Sequence, residues 1–305
     1  MNVATLVSRM RVEILDDNIE PYLWGNDEIV NVLNDTFNEL AEENLIISDQ
    51  STTAITEVKL LSNINLHAVS DYIVTARFGR LKTDQYDLIK TTEDWLDGNI
   101  TDWRNQTGSH PMYFAPYASN GYLSIAPKYD DEGEYLGASD ISFVAGTKTI
   151  VQPTGDFSAL AVGDEINVSG TVSNNGYYTV ATAGTPSFTV TAALVTEGST
   201  NAVIRKVRDT LVLSVNRIPL TAFTESDITS ASAITDIKSL HHAKLFNGMA
   251  KRLYMKPDSE TYDKGKAEYH RNLFELDKKK IRRTSILFKK PDKAFTIRSG
   301  SGIGN

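Results

Sequence analysis

Between Ala138 and Lys206 the chain changes texture. These 69 residues hold only 8 charged side chains, with 11 Thr and 9 Val. So few charges cannot clothe the outer faces of amphipathic helices, and β-branched residues suit a pleated, half-buried surface. Turn signals recur at roughly ten-residue spacing, as in small all-β modules. Asn174, Asn175 and Gly176 separate two alternating runs, an Asn-Gly hairpin signal. The pattern predicts strands at 147–152, 164–170, 176–182, 187–193 and 201–206, closing into a small barrel or sandwich. Insertions fall at exposed hairpin tips. The runs at 122–126 and 209–216 are therefore expected to pair across this segment.

The two ends of the chain read as helices. Leu6, Met10 and Ile14 form a stripe over residues 4–16. Asn26 is a good N-cap, Asp27 and Glu28 suit the positive end of a helix, and Ile29, Leu33, Phe37 and Leu40 share one face. Near the other end, Ile237, Leu240, Ala243, Phe246, Met249, Ala250 and Leu253 keep a 3.6 period, with Lys244 the one polar member. Pro257 stops that helix, and Asp258 or Ser259 can cap the next. Tyr262, Tyr269, Leu273 and Leu276 are expected on its buried face. Between the ends, strands are expected at 53–61, 71–76, 86–90, 111–115, 122–126 and 209–220. Turns are expected at 63–65 and Gly79, with an irregular or helical corner at 91–105.

Charge follows the same division. Residues 1–56 carry 2 basic and 11 acidic side chains, while residues 236–305 carry 17 basic and 8 acidic. Such ends attract each other, within one fold or between neighbouring copies. The basic run Lys278, Lys279, Lys280, Arg282 and Arg283 falls where a helix C-terminus favours cations. It suits charged contacts with a partner. The whole chain is acidic, at −8, which argues against a general DNA-binding protein.

Several chemistries lack their residues. The chain has no cysteine, which excludes disulfides, thiolate metal sites and thiol nucleophiles. Its five histidines show no metal-ligand spacing, and His241 and His242 point to different helix faces. Neither a phosphate-binding glycine loop nor a nucleophile elbow occurs. No apolar run approaches the roughly 18 residues that span a bilayer. Arg9 and Arg11 interrupt the stretch where a signal peptide would need an apolar segment. The expectation is a soluble, unprocessed protein made inside the cell, without enzymatic activity, cofactor, metal or membrane contact.

The order of elements resembles the head-to-tail adaptor (connector) proteins of tailed bacteriophages. The resemblance rests on LVSRMRVEILDDNIEPYLWGNDEIVNVLNDTFNELAEENLI (6–46), with its turn at Pro21, Tyr22 and Trp24. It continues in the Trp-bearing segment TTEDWLDGNITDWRNQTGSHPMYFAPYASNGYLSIAP (91–127), the strand LVLSVNRIPL (211–220) and the helical HHAKLFNGMAKRLYMKPDSETYDKGKAEYHRNLFE (241–275). It covers roughly residues 5–132 and 208–280. The insert and the tail after 284 depart from the family pattern.

This resemblance implies a structural virion protein in the neck between head and tail, assembled in the host cytoplasm. It implies a homo-oligomeric ring of roughly twelve copies, with the portal protein above and a tail nozzle or other tail protein below. DNA would pass through the channel without sequence-specific binding. The implied fold class is α+β: a helical bundle of N-terminal helices and a C-terminal helix pair, carrying a small antiparallel β module interrupted by an inserted all-β domain. The expected domains are an adaptor core at 1–137 plus 207–283, the insert at 138–206, and a docking tail at 284–305. Ile286, Phe288, Lys289, Lys290, Phe295, Ile297 and Arg298 are the expected portal-docking residues, on strand-like pieces of that tail. The alternative is a phage tail glycan-binding or depolymerase-associated protein.

Overall fold

The computed structural model describes residues 1–44, 46–116, 121–136, 140–257 and 260–289, the last six by backbone alone. From the amino end come helix α1 (Val3–Arg9), a π-helical turn over Met10–Leu15, and helix α2 (Asn26–Asn44). Strands β1 (Glu57–Leu61), β2 (Leu66–Ala68), β3 (Ile73–Leu81) and β4 (Asp87–Lys90) follow. Helix α3 (Glu93–Asn99) precedes β5 (Tyr113–Pro116), β6 (Tyr122–Ala126) and β7 (Glu134–Leu136). Then come β8 (Ile141–Val144), β9 (Thr149–Val151), β10 (Glu165–Ser169), β11 (Gly176–Thr182), β12 (Ser187–Val190) and β13 (Glu197–Thr200). The long β14 (Val203–Arg217) leads, through short helical turns, to α4 (Leu245–Leu253) and α5 (Lys264–Lys289).

Contacts divide the chain into two units, one of Met1–Ser48 with the chain from Asn216 on, the other of Asp49–Val215. Among the described residues, 15 strands form one hydrogen-bonded network. Its path runs β13-β8-β9-β12-β11-β10-β14-β3-β4-β5-β6-β2, with β1, β7 and the two-residue strand Ser48–Asp49 also on β14. The pairing of β4 with β5 is parallel, Ile89 opposite Tyr113, so the sheet is mixed. This overturns the expected helical bundle with a small antiparallel β module. Strands dominate, and most helices are short. The reason lies in β14. It is 15 residues long, and it pairs antiparallel with β10 near its start and with β1 further along. Strands on both sides of Lys206 are thereby stitched into one ladder.

Locally, the alternation in 138–206 gives strands at each expected place, plus β8 and β13. Ile141, Phe143, Ile150, Phe157, Ile166, Val168, Val180, Phe188 and Ile204 pack together as one buried cluster. Asn175 does not make a two-residue hairpin turn. Its Oδ1 accepts from the Thr171 amide at 2.9 Å, closing a longer loop.

Three other expectations are corrected. Strand β6 pairs with β5 and β2, not with residues 209–216. Gly79 is no turn; it lies inside β3 opposite Leu88. A Cβ there would sit 3.1 Å from Leu211 Cδ1 and 3.3 Å from Phe114 Cε1, so the glycine marks close packing over the sheet. Residues 53–56, expected in a strand, make a single helical turn before β1.

In the first unit, α2 buries the expected Ile29, Leu33, Phe37 and Leu40. They share a core with Leu6, Met10, Met249, Leu253, Phe274 and Ile281. The expected face of α5 is wrong. Tyr262, Tyr269 and Leu276 are exposed, while Ala267, Phe274 and Ile281 are buried. Those three recur every seven residues, so one seam faces the core. Asp263 caps α5, its Oδ1 accepting from Lys266 N at 2.9 Å; the expected caps Asp258 and Ser259 lie outside the described residues. Leu240 is also exposed, and Leu245 takes a core place instead.

Gly248 lets these helices approach. A Cβ on it would lie 2.4 Å from Thr36 Cγ2 of α2 and 2.7 Å from Phe274 Cε2 of α5. Both neighbours are fully buried, so neither can move aside without disturbing the core. Gly→Ala inside a helix gains about 1 kcal/mol in propensity. Overpacking costs about 1–3 kcal/mol. Gly248→Ala should therefore lose net stability, and Gly248→Val should lose more. Urea unfolding measures both; a stabilised Gly248→Ala would show that the helices have room to spare.

Candidate functional site

The charged groups of the first unit converge on one carboxylate. Glu39, on α2, accepts from Lys251 of α4 at 2.7 Å and from Lys278 of α5 at 3.0 Å. Arg252 Nη2 reaches it at 2.8 Å. Lys278 also holds Glu43 at 2.9 Å and Glu275 at 2.6 Å. The acidic amino end and the basic carboxyl end thus neutralise one another inside the unit, and three helices are tied at one point. Burial works to raise the Glu39 pKa, but hydrogen bonds from Lys251, Lys278 and Arg252 outweigh it and hold it at about 2. Burial works against the Lys278 cation, yet hydrogen bonds to Glu275, Glu43 and Glu39 raise its pKa.

This placement sorts the expected partner-contact cations. Lys278 is 6% exposed and is committed internally. Arg282 donates to the Glu43 carbonyl at 3.2 Å while remaining exposed. Lys280 lies 3.8 Å from Asp277 at the surface. Lys279 and Arg283 are exposed on the same helix. Of the expected docking residues, Ile286, Phe288 and Lys289 lie in the last turns of α5, so the strand-like piece expected there is helical. Lys290, Phe295, Ile297 and Arg298 lie outside the described residues.

Beside the Glu39 cluster, α4 and the first turns of α5 enclose a groove of about 460 Å³. Lys251, Arg252, Met255, Lys264, Ala267, Glu268 and Arg271 line it. The sequence reading missed it, because the face assigned to α5 was the wrong one. The i, i+7 spacing of Lys264 and Arg271 was the available signal.

The histidines play structural parts. His67 is buried, and burial lowers its pKa to about 4, against the raising effect of the Ile64 and Lys59 backbone. His241 and His242 are buried too, and burial lowers both. Among the described residues no His, Asp and Glu cluster could hold a metal ion. No described helix is long and apolar enough to cross a membrane.

Comparison with protein-family models gives no match, and comparison with curated proteins gives none either.

Glu39 can be tested directly. Its folded pKa lies below its ordinary value, so its contribution is complete above about pH 4.5 and is lost as pH falls toward 2. A shift of this size corresponds to about 3 kcal/mol. Glu39→Gln should lose about 3 kcal/mol at pH 7, because it strands buried cations. It should also flatten the acid limb between pH 4.5 and 2. Urea unfolding as a function of pH measures both, and a variant that keeps the wild-type acid limb would exclude Glu39 as its source.

His67 gives a second limb with its own window. The unfolded imidazole takes a proton near pH 6.5, whereas the folded one resists until about 4. Stability from this group is complete above pH 6.5 and falls between 6.5 and 4. His67→Gln should remove that dependence, read by thermal melting across the same range.

Proposed function

We propose that the chain is a subunit of a head-to-tail adaptor ring in a tailed bacteriophage. Copies of it, roughly twelve by the resemblance, would close a ring between the portal protein and a tail nozzle or other tail protein. The work is structural rather than enzymatic: the ring seals the joint in the virion neck and leaves a channel through which DNA slides. Acidic side chains on that channel would repel phosphate and keep the DNA mobile. The domain division into a core at 1–137 and 207–283, an insert at 138–206 and a docking tail from 284 belongs to the same proposal.

The observation that carries this reading is the end of α5. Exposed Lys279, Lys280 and Arg283 lead into a tail that alternates apolar and basic residues. Ordering such a tail costs about 1–2 kcal/mol per residue and needs a partner surface. Phe288, Phe295 and Ile297 would supply the apolar contact, with Lys289, Lys290 and Arg298 steering toward an acidic rim.

A second reading, a glycan-binding tail protein, is favoured by one feature. Trp95 is 42% exposed, and its ring lies 5.4 Å from Tyr113. Ile89, opposite Tyr113, is exposed too. Aromatic faces of this kind can stack on sugars. Loss of oligosaccharide binding in Trp95→Ala would support that reading.

The adaptor reading makes a sharper prediction. A chain ending at Arg283 should fold, losing only the helical signal of residues 284–289 in circular dichroism, yet fail to attach to portal-bearing heads. Pelleting of purified heads with each protein gives the result. Wild-type attachment by the shortened chain would sink the docking tail.

A further inference from the structure

We infer that the groove between α4 and α5 receives the acidic loop at residues 16–23 of a second copy of this chain. The inference rests on the ring reading above and assigns residues to the contact between neighbours.

The groove sets the requirements. Lys251 and Arg252 on its wall are held by Glu39. Lys264 and Arg271 are exposed, seven residues apart on α5, and so about 10.5 Å apart along one side of the helix. Glu268 lies between them, 3.9 Å from Lys264 at the surface. Met255, 50% exposed, and Ala267 give the groove an apolar floor. The occupant must carry negative charge and an apolar side chain. The chain's own residues 290–305 have the wrong sign, with Lys290, Lys293 and Arg298 against Asp292.

The loop meets both requirements. Asp16 and Glu20 are exposed on it, and Ile19 is 78% exposed, with Leu23 at 44%. Ile19 lies between the two acids and Leu23 just beyond them; large apolar side chains this bare fit a surface that is covered in an assembly. The loop is also held in shape without a partner. Buried Arg11 holds Asp17 at 2.7 Å and the Trp24 carbonyl at 2.8 Å. Asp17 in turn accepts from Leu23 N at 2.9 Å and Trp24 N at 3.2 Å. A braced loop loses little conformational freedom on docking. Loop and groove share no residue, so every copy offers one of each. A contact of this heterologous type repeats from copy to copy until a ring closes.

The test uses the full chain and two exposed charge variants. Lys264→Glu with Arg271→Glu reverses the groove. Asp16→Asn with Glu20→Lys reverses the loop, and Asn tolerates the positive φ of 53° at position 16. Thermal melts monitored by circular dichroism establish that both fold. Sedimentation velocity should show self-association at least tenfold weaker for each variant alone. Mixing the two should restore it, because each reversed loop then meets a reversed groove and each native loop a native one. Oligomers unaffected by either variant would overturn the inference and leave the ring reading standing. Oligomers lost in the variants but not restored on mixing would overturn it too. A wild-type chain that stays monomeric at all concentrations, alone and with portal-bearing heads, would remove the ring reading and the inference with it.

Discussion

A single carboxylate organises the helical unit. Glu39 receives Lys251, Arg252 and Lys278, and these come from segments more than 200 residues away along the chain. Buried ion pairs give little net stability when compared with apolar packing, but they penalise misregistration heavily. Sliding α5 by two turns against α2 would keep its apolar seam nearly in phase but strand Lys278 without Glu39. The seam of Ala267, Phe274 and Ile281 supplies burial, and the charges decide which register is used. Gly248 completes this arrangement from the other side, since only a bare backbone lets α4 sit against Thr36 and Phe274 together.

The β unit depends on a different constraint. Strand β14 accepts ladders from β1, β7 and β10 along its length. The burial pattern of β14 becomes almost continuous from Asp209 to Arg217, as expected for a strand covered on both faces. Its buried polar groups need partners, and some are visible. Asp209 accepts from Thr83 N at 3.0 Å, and Ser214 accepts from Gln50 at 2.9 Å. A central strand with so many neighbours tolerates few polar errors, whereas the loops that join the outer strands do.

Element types were largely legible in the sequence, because hydrophobic period is a local signal. The alternation in 164–170 and 176–182 and the stripe from Ile29 to Leu40 translate directly into β10, β11 and α2. Partnership was not legible. Whether 122–126 pairs with 209–216 depends on long-range register, and the insertion argument chose the wrong neighbour. Gly79 shows the limit at one residue: the same glycine signals a turn or a close packing contact, and only Leu211 and Phe114 decide between them. The face of α5 failed for a related reason. Tyr and Leu at 262, 269, 273 and 276 outweighed the small Ala267 and the charged Lys278, so the pattern missed the seam that Phe274 and Ile281 complete.

That inversion bears on the candidate site as well. The basic run at 278–283 looked uniform, yet the helix turns each residue to a different environment. Lys278 points inward to three carboxylates, while Lys279 and Arg283 face solvent. A charge run on a helix is therefore a set of separate electrostatic roles, separated by about 100° of rotation per residue. Much of the opposition between the two chain ends is met inside the helical unit, through Glu28, Glu39 and Glu43. What is left for partners is a smaller set: the outer cations of α5, the Lys264 and Arg271 pair, and the exposed acids beside Ile19. Those residual charges are exposed and so are screened by added salt, whereas the Glu39 cluster, being largely desolvated, is screened much less.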